Sequence, residues 1–174
     1  MTNAESTTAI AEATYDSVRA TVEIAAPPEE VFEALTDPAQ LEEWWGTPES
    51  YHTSGWQLEP RSGGEWSVHT EAPDGTEASV HGEYRVVDPP RTLEFTWAAS
   101  WDDFAETTVR FDLAPTVVRG VSGTRVTVTH SGLGALDIRA QAHARCVLGA
   151  SSPLDWPRLL WSFKRALHER VVMA

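Results

Sequence analysis

The sequence predicts an α+β domain in which a seven-stranded, antiparallel, curved sheet closes over one long C-terminal helix. Two observations lead there. Between Ser17 and Ser131, apolar and polar residues alternate with a period of two in seven runs, joined by short connections that suit antiparallel neighbours. From Pro153 to Met173 the period changes: Trp156, Leu160, Phe163, Leu167 and Val171 recur at steps of four, three, four and four, and so share one helix face. One terminal amphipathic helix facing many half-apolar strands is most simply buried inside a curled sheet.

Taken in order, Met1 to Thr14 is small, polar and without period, and reads as part of a disordered tail over 1–15, with the domain over 16–174. Val18, Ala20, Val22 and Ile24 alternate with Arg19, Thr21 and Glu23 in the first strand, which Ala26-Pro27-Pro28 stops. Pro28 suits the first turn of a helix, and Glu29 and Glu30 suit its dipole. Asp37-Pro38 closes that short helix and opens another, with Asp37 as N-cap; Leu41, Trp44 and Trp45 form its apolar face and Gly46 ends it. Trp56 and Leu58 mark a short strand. Trp66, Val68 and Thr70 follow, then a Pro73-Asp74-Gly75 hairpin.

The next inward set is Val80, Gly82, Tyr84 and Val86, where Gly82 marks a bulge or strong bend. Leu93, Phe95 and Trp97, then Val109, Phe111 and Leu113, then Val126, Val128 and His130 complete the strands, with a loop expected across Pro115 to Gly123. Leu136 to Leu148 is helical in composition, and Gly149 to Pro153 breaks it before the terminal helix.

Composition narrows function. The 174 residues hold 26 Asp plus Glu against 13 Lys plus Arg, a net charge of −13, with Lys164 the only lysine. Such a surface repels phosphate backbones and anionic headgroups, so neither nucleic acid nor membrane is an expected partner. Cys146 is alone, no run approaches the ~20 apolar residues of a membrane span, and no signal-peptide pattern opens the chain. A cytoplasmic protein, monomer or homodimer, is the expectation. Eight Trp in this length either pack a wide interior or line a pocket for something flat and apolar.

The joints of the chain carry a resemblance. Asp37-Pro38 through Trp44-Trp45-Gly46, Gly63-Gly64-Glu65-Trp66, His81-Gly82-Glu83-Tyr84 through Asp88-Pro89-Pro90-Arg91 to Trp97, and Gly123-Thr124-Arg125-Val126 through Gly132 occur in family order. With them the chain resembles the START/Bet v 1-like (SRPBCC) superfamily, and within it bacterial domains similar to the C-terminal domain of the activator of Hsp90 ATPase, over roughly residues 17 to 172. The resemblance implies a helix-grip fold with a cavity that in many relatives holds an apolar or aromatic small molecule. Carriers, polyketide cyclases and sequestering proteins share it. Asp155-Trp156-Pro157 through Leu160, Ser162 and Phe163 is also similar to the terminal helix of enediyne-resistance relatives, whereas the segment Ala135 to Pro153 is longer than the family's usual connection.

No metal-ligand spacing, phosphate loop, nucleophile elbow or dinucleotide fingerprint is present, so neither metal nor cofactor is expected. Strand parity and loop position select Trp45, Trp66, Val68, Tyr84, Phe95, Trp97, Trp101, Phe104, Phe111, His130, Trp156 and Phe163 as the candidate ligand wall, most of which would be core in any reading. Trp45, Trp56, Trp101 and Phe104 lie at helix ends or loops, where large aromatics suit the rim of a cavity. His130 and Tyr84 bring polar groups to an apolar face and are the candidate acid and base, with a satisfied core histidine as the plainer role for His130. Three functions follow from these residues: a non-catalytic binder of a hydrophobic, aromatic or polycyclic molecule; a cyclase- or dehydratase-type enzyme in the same cavity; and a chaperone-partner module, which rests on the family name alone.

Overall fold

A computed structural model describes residues 10–14, 16–46, 51–100, 104–135 and 156–173. Its elements are β1 (Ile10–Ala13), β2 (Ser17–Ile24), α1 (Pro28–Thr36), α2 (Pro38–Trp44), β3 (His52–Leu58), β4 (Glu65–Glu71), β5 (Glu77–Asp88), β6 (Thr92–Ala99), β7 (Glu106–Val118), β8 (Val121–Ser131) and α3 (Trp156–Met173). All strands join one antiparallel sheet in the order β1-β2-β8-β7-β6-β5-β4-β3. The helix-grip arrangement expected from the sequence is present: Leu160, Phe163 and Leu167 of α3 are buried in the same core as the inward faces of the strands.

Three local expectations change. Ile10–Ala13, assigned to a disordered tail, pairs with β2 at Ile10↔Thr21 through Ala13↔Val18 and is an eighth strand. Without it β2 would expose a full row of backbone donors and acceptors at the sheet edge. The expected Pro115–Gly123 loop is instead the end of a long β7–β8 hairpin, paired to Val118↔Val121, in which Val117 and Val121 stand exposed. On β5 the register slips between Tyr84/Phe95 and Val86/Glu94, so one extra residue turns Val87, rather than Val86, onto the core opposite Leu93. The expected helix over Leu136–Leu148 and its break lie outside the described residues.

The connections near the sheet opening follow their chemistry. Asp37 caps α2, accepting from Ala39 N at 3.1 Å and from Gln40 Nε2 at 3.0 Å, with Pro38 in the first turn. Trp44, at the other end, is fully buried. Its Nε1 donates to Ala34 O at 3.0 Å, its ring stacks on Phe163 at 4.4 Å, and its carbonyl accepts from Ser162 Oγ at 2.8 Å. One residue thus ties α1, α2 and α3 together.

Candidate functional site

The site begins with two departures from regular pairing. In β3, Ser54 pairs with His69 but Gln57 pairs with Ser67, so Gly55 and Trp56 together oppose Val68. Gly55 takes a left-handed φ of 65°, which a side chain would oppose. Parity flips across this bulge: Thr53 is buried before it, and Trp56 and Leu58 turn towards the core after it. In β5, Gly82 faces Trp66 of β4, and a Cβ there would run into Thr96 O and the Trp66 indole nitrogen. The missing side chain lets Trp66 Nε1 reach over β5 to Thr96 O of β6 at 3.0 Å, while Thr96 Oγ1 accepts from Glu83 N at 2.9 Å. Gly82 is therefore the gap through which Trp66 lies across the inner face.

Trp45 follows α2 directly, its carbonyl accepting from Thr53 Oγ1 at 2.9 Å, and the same Thr53 hydroxyl accepts from Trp56 Nε1 at 3.0 Å. The rings form a continuous wall: Trp45 lies 5.5 Å from Trp56 and 5.9 Å from Trp97, Trp66 lies 6.2 Å from Trp56 and 5.2 Å from Phe95, and Phe95 lies 6.0 Å from Tyr84. Contacts of this geometry are each worth about 0.5–1.5 kcal/mol beyond the area they bury.

Between this wall and α1–α2 is an apolar cavity lined by Leu35, Leu41, Trp45, Trp56, Leu58, Trp66, Tyr84, Leu93, Phe95 and Phe111. Its volume is about 10 Å³, room for roughly one water and far below the ~300 Å³ of a pocket for a small organic ligand. The space is largely filled by its own tryptophans. Trp56 and Leu58 are only half-buried and belong to the edge strand, so the thinnest wall is at β3. A larger hollow of about 320 Å³ lies between β3, β4 and β5, but Gln57, Glu59, Glu65, Ser67 and His81 give it polar, mostly exposed walls unsuited to an apolar ligand.

Of the residues selected from sequence, Trp45, Trp66, Tyr84, Phe95 and Phe111 meet at the cavity. Val68, Trp97 and Phe163 are buried in the same core without lining it. Phe104 does not join them: it is 48% exposed and packs on the ring of His81, an outward residue of β5. A loop has no parity to read, so its size alone misplaced it. Trp101 and the side chain of Trp156 lie outside the described residues. Leu35, Leu41, Leu58 and Leu93 also line the cavity without standing among the sequence candidates, since an aliphatic residue on a periodic face carries no signal beyond burial, and Trp56, a rim candidate, stands in the wall.

The two polar candidates separate. His130 on β8 is 2% exposed, and its Nε2 shares a 2.6 Å hydrogen bond with Thr107 Oγ1 of β7. Burial pushes its pKa down to about 3, so the ring is neutral near pH 7. It does not line the cavity, and its position is that of a satisfied core histidine, bonded to a neighbouring strand rather than to a helix. Tyr84 does line it. The residue is 3% exposed, burial pushes its phenol well above the usual range, and among the described residues its hydroxyl has no hydrogen-bond partner. No group of three or more potential metal ligands occurs among the described residues.

The sheet wrapped on α3 and the apolar hollow under α1–α2 define a helix-grip domain of the SRPBCC type. More narrowly, residues 25–152 match the family model "Activator of Hsp90 ATPase homolog 1-like protein", and the chain belongs to that family. Among solved structures it is similar to an AHSA1 protein from Silicibacter pomeroyi, with 29% identity over 88% of this chain and 99% of that one and a TM-score of 0.66. Proteins from Rhodobacter sphaeroides (21% identity, 95% and 99% covered, TM-score 0.73) and Arthrobacter aurescens (20%, 92% and 91%, 0.73) share the fold. A comparison with curated proteins returns no match. No described helix is long and apolar enough to cross a membrane.

Proposed function

We propose that the protein binds a hydrophobic, flat aromatic or polycyclic small molecule between the sheet and the helices, as a carrier or a sequestering, resistance-type protein. The observation that carries this reading is the lining: ten residues, all apolar or aromatic, gathered beneath a half-buried edge strand in a family that commonly binds hydrophobic ligands. At about 10 Å³ the cavity admits no such ligand, so binding requires Trp56 and Trp45 to swing outwards and the ligand to take over their stacking partners. Such an exchange conserves ring contacts, which lowers its cost.

A cyclase- or dehydratase-type reaction has weaker support. His130 stands outside the lining, and Tyr84, the one ionisable residue in it among the described residues, is held protonated by burial. The test is a panel of neutral aromatic compounds scored by thermal midpoint and tryptophan fluorescence. A binder present at a hundredfold excess over its Kd raises the midpoint by about 5–10 °C. A flat response in both signals across the panel overturns the reading.

A further inference from the structure

We infer that the ligand carries an uncharged hydrogen-bond acceptor, such as a ketone or quinone-type carbonyl oxygen, and that Tyr84 is the residue that selects it. This rests on the binding function proposed above and narrows its ligand class.

Every other side-chain polar group described in the wall is engaged or unsuited to the task. Trp56 Nε1 is committed to Thr53 Oγ1 and Trp66 Nε1 to Thr96 O. Trp45 carries only an indole N–H, and it belongs to the part of the wall that must move. Leu35, Leu41, Leu58, Leu93, Phe95 and Phe111 have no polar side-chain atom. Among the described residues Tyr84 alone combines a ring held in the core, a place in the lining and a hydroxyl that no protein group engages, left free to meet a ligand. The hydroxyl oxygen is not sealed from water, so a ligand acceptor that meets it replaces a water contact with a hydrogen bond held in an apolar wall, where such a bond is stronger. The ring is also well held: Phe95 packs on it edge-on, and its backbone is fixed by Gly63 N to Tyr84 O and Tyr84 N to Gly64 O, each at 2.8 Å.

The same wall excludes charge. Among the described residues the lining contains no Lys, Arg, His, Asp or Glu, so a carboxylate or ammonium would enter uncompensated. Burial keeps the phenol protonated, which makes it a donor rather than an anion that could welcome a cation. A neutral aromatic skeleton bearing one acceptor oxygen is what remains.

Three probes of nearly equal shape test this by calorimetry: 2-acetylnaphthalene, 2-ethylnaphthalene and 2-naphthoate. The wild-type protein is expected to bind the ketone about tenfold more tightly than the ethyl compound, and the carboxylate at least about tenfold more weakly than the ketone. In Tyr84→Phe the ketone preference collapses to within about twofold, and the thermal midpoint is no lower than wild type, because no partner is left behind. If the ethyl compound binds but the ketone preference is missing, or survives in Tyr84→Phe, the inference fails while the binding function stands. A fall of several degrees in the Tyr84→Phe midpoint also overturns it, by showing that the hydroxyl has a structural partner. If none of the three binds, the function and the inference fall together.

Discussion

Across β2, β7 and β8 the inward face is mainly aliphatic, with Val18, Ala20, Val22, Ile24, Val109, Leu113, Val126 and Val128 in regular antiparallel register and only Phe111, which reaches the cavity, and His130 interrupting it. Across β3 to β6 it is aromatic, with Trp56, Trp66, Tyr84, Phe95 and Trp97, and both register shifts of the sheet occur there. The regular half seats α3: Ala25 N donates to His168 Nε2 at 3.0 Å. The irregular half holds the cavity. Branched aliphatic chains on an even ladder leave little freedom, whereas flat rings on a bulged ladder can exchange partners without leaving voids. The difference teaches that one sheet can be a rigid grip at one end and an adaptable wall at the other.

The largest way to break this comparison is Leu160→Ala, which removes a fully buried contact of α3. It is expected to cost about 2–5 kcal/mol in denaturant unfolding while leaving the order of ligand preference intact. Next comes acid. His130 has a native pKa pushed down to about 3 from 6.5, so between those values the unfolded chain binds the extra proton and stability falls as pH falls. The slope approaches about 1.4 kcal/mol per pH unit for this one residue. His168, also lowered by partial burial and by Lys164 and Arg119, adds in the same direction. Unfolding measured from pH 7 to 4 in wild type and His130→Gln checks it: the variant should show the shallower dependence.

Gly82→Ala sharpens the comparison, since its methyl group would displace Trp66 from Thr96 O. A loss of about 1–3 kcal/mol is expected, together with weaker ligand binding, because the wall itself is misplaced. Trp56→Ala is the smallest in stability, about 1–2 kcal/mol for a half-buried edge residue, but it opens the thinnest part of the cavity. Calorimetry with 2-ethylnaphthalene should show faster or tighter binding than wild type. Weaker binding would make Trp56 a ligand contact rather than a gate.

Much of this is legible in the sequence. Strand parity placed Trp66, Tyr84, Phe95 and Phe111 on one face, and the Asp37-Pro38 signal fixed the entry to α2. The places of the bulges were not legible: on β5 the extra residue falls after Tyr84 rather than at Gly82, and His52-Thr53-Ser54-Gly55-Trp56 reads as a weak strand whose parity flip depends on Gly55 adopting a left-handed φ against β4. Gly82 was recognised as a special position, but its reason, the Trp66 indole crossing to Thr96, joins residues of three strands. Ile10–Ala13 was missed because Ala and Glu favour no strand by themselves, and the open edge of β2 recruits them. Cavity volume is a property of packed rings and has no sequence signature at all.

The most direct measurement follows the indole N–H resonances of the tryptophans by two-dimensional NMR during titration with 2-acetylnaphthalene. Large saturable shifts at Trp45, Trp56 and Trp66, with only a smaller shift at Trp44, which touches the Trp45 ring but is fixed between Ala34 and Phe163, are the expected result. Shifts spread evenly over both halves, or none at saturating probe, would contradict an adaptable aromatic wall beside a rigid grip.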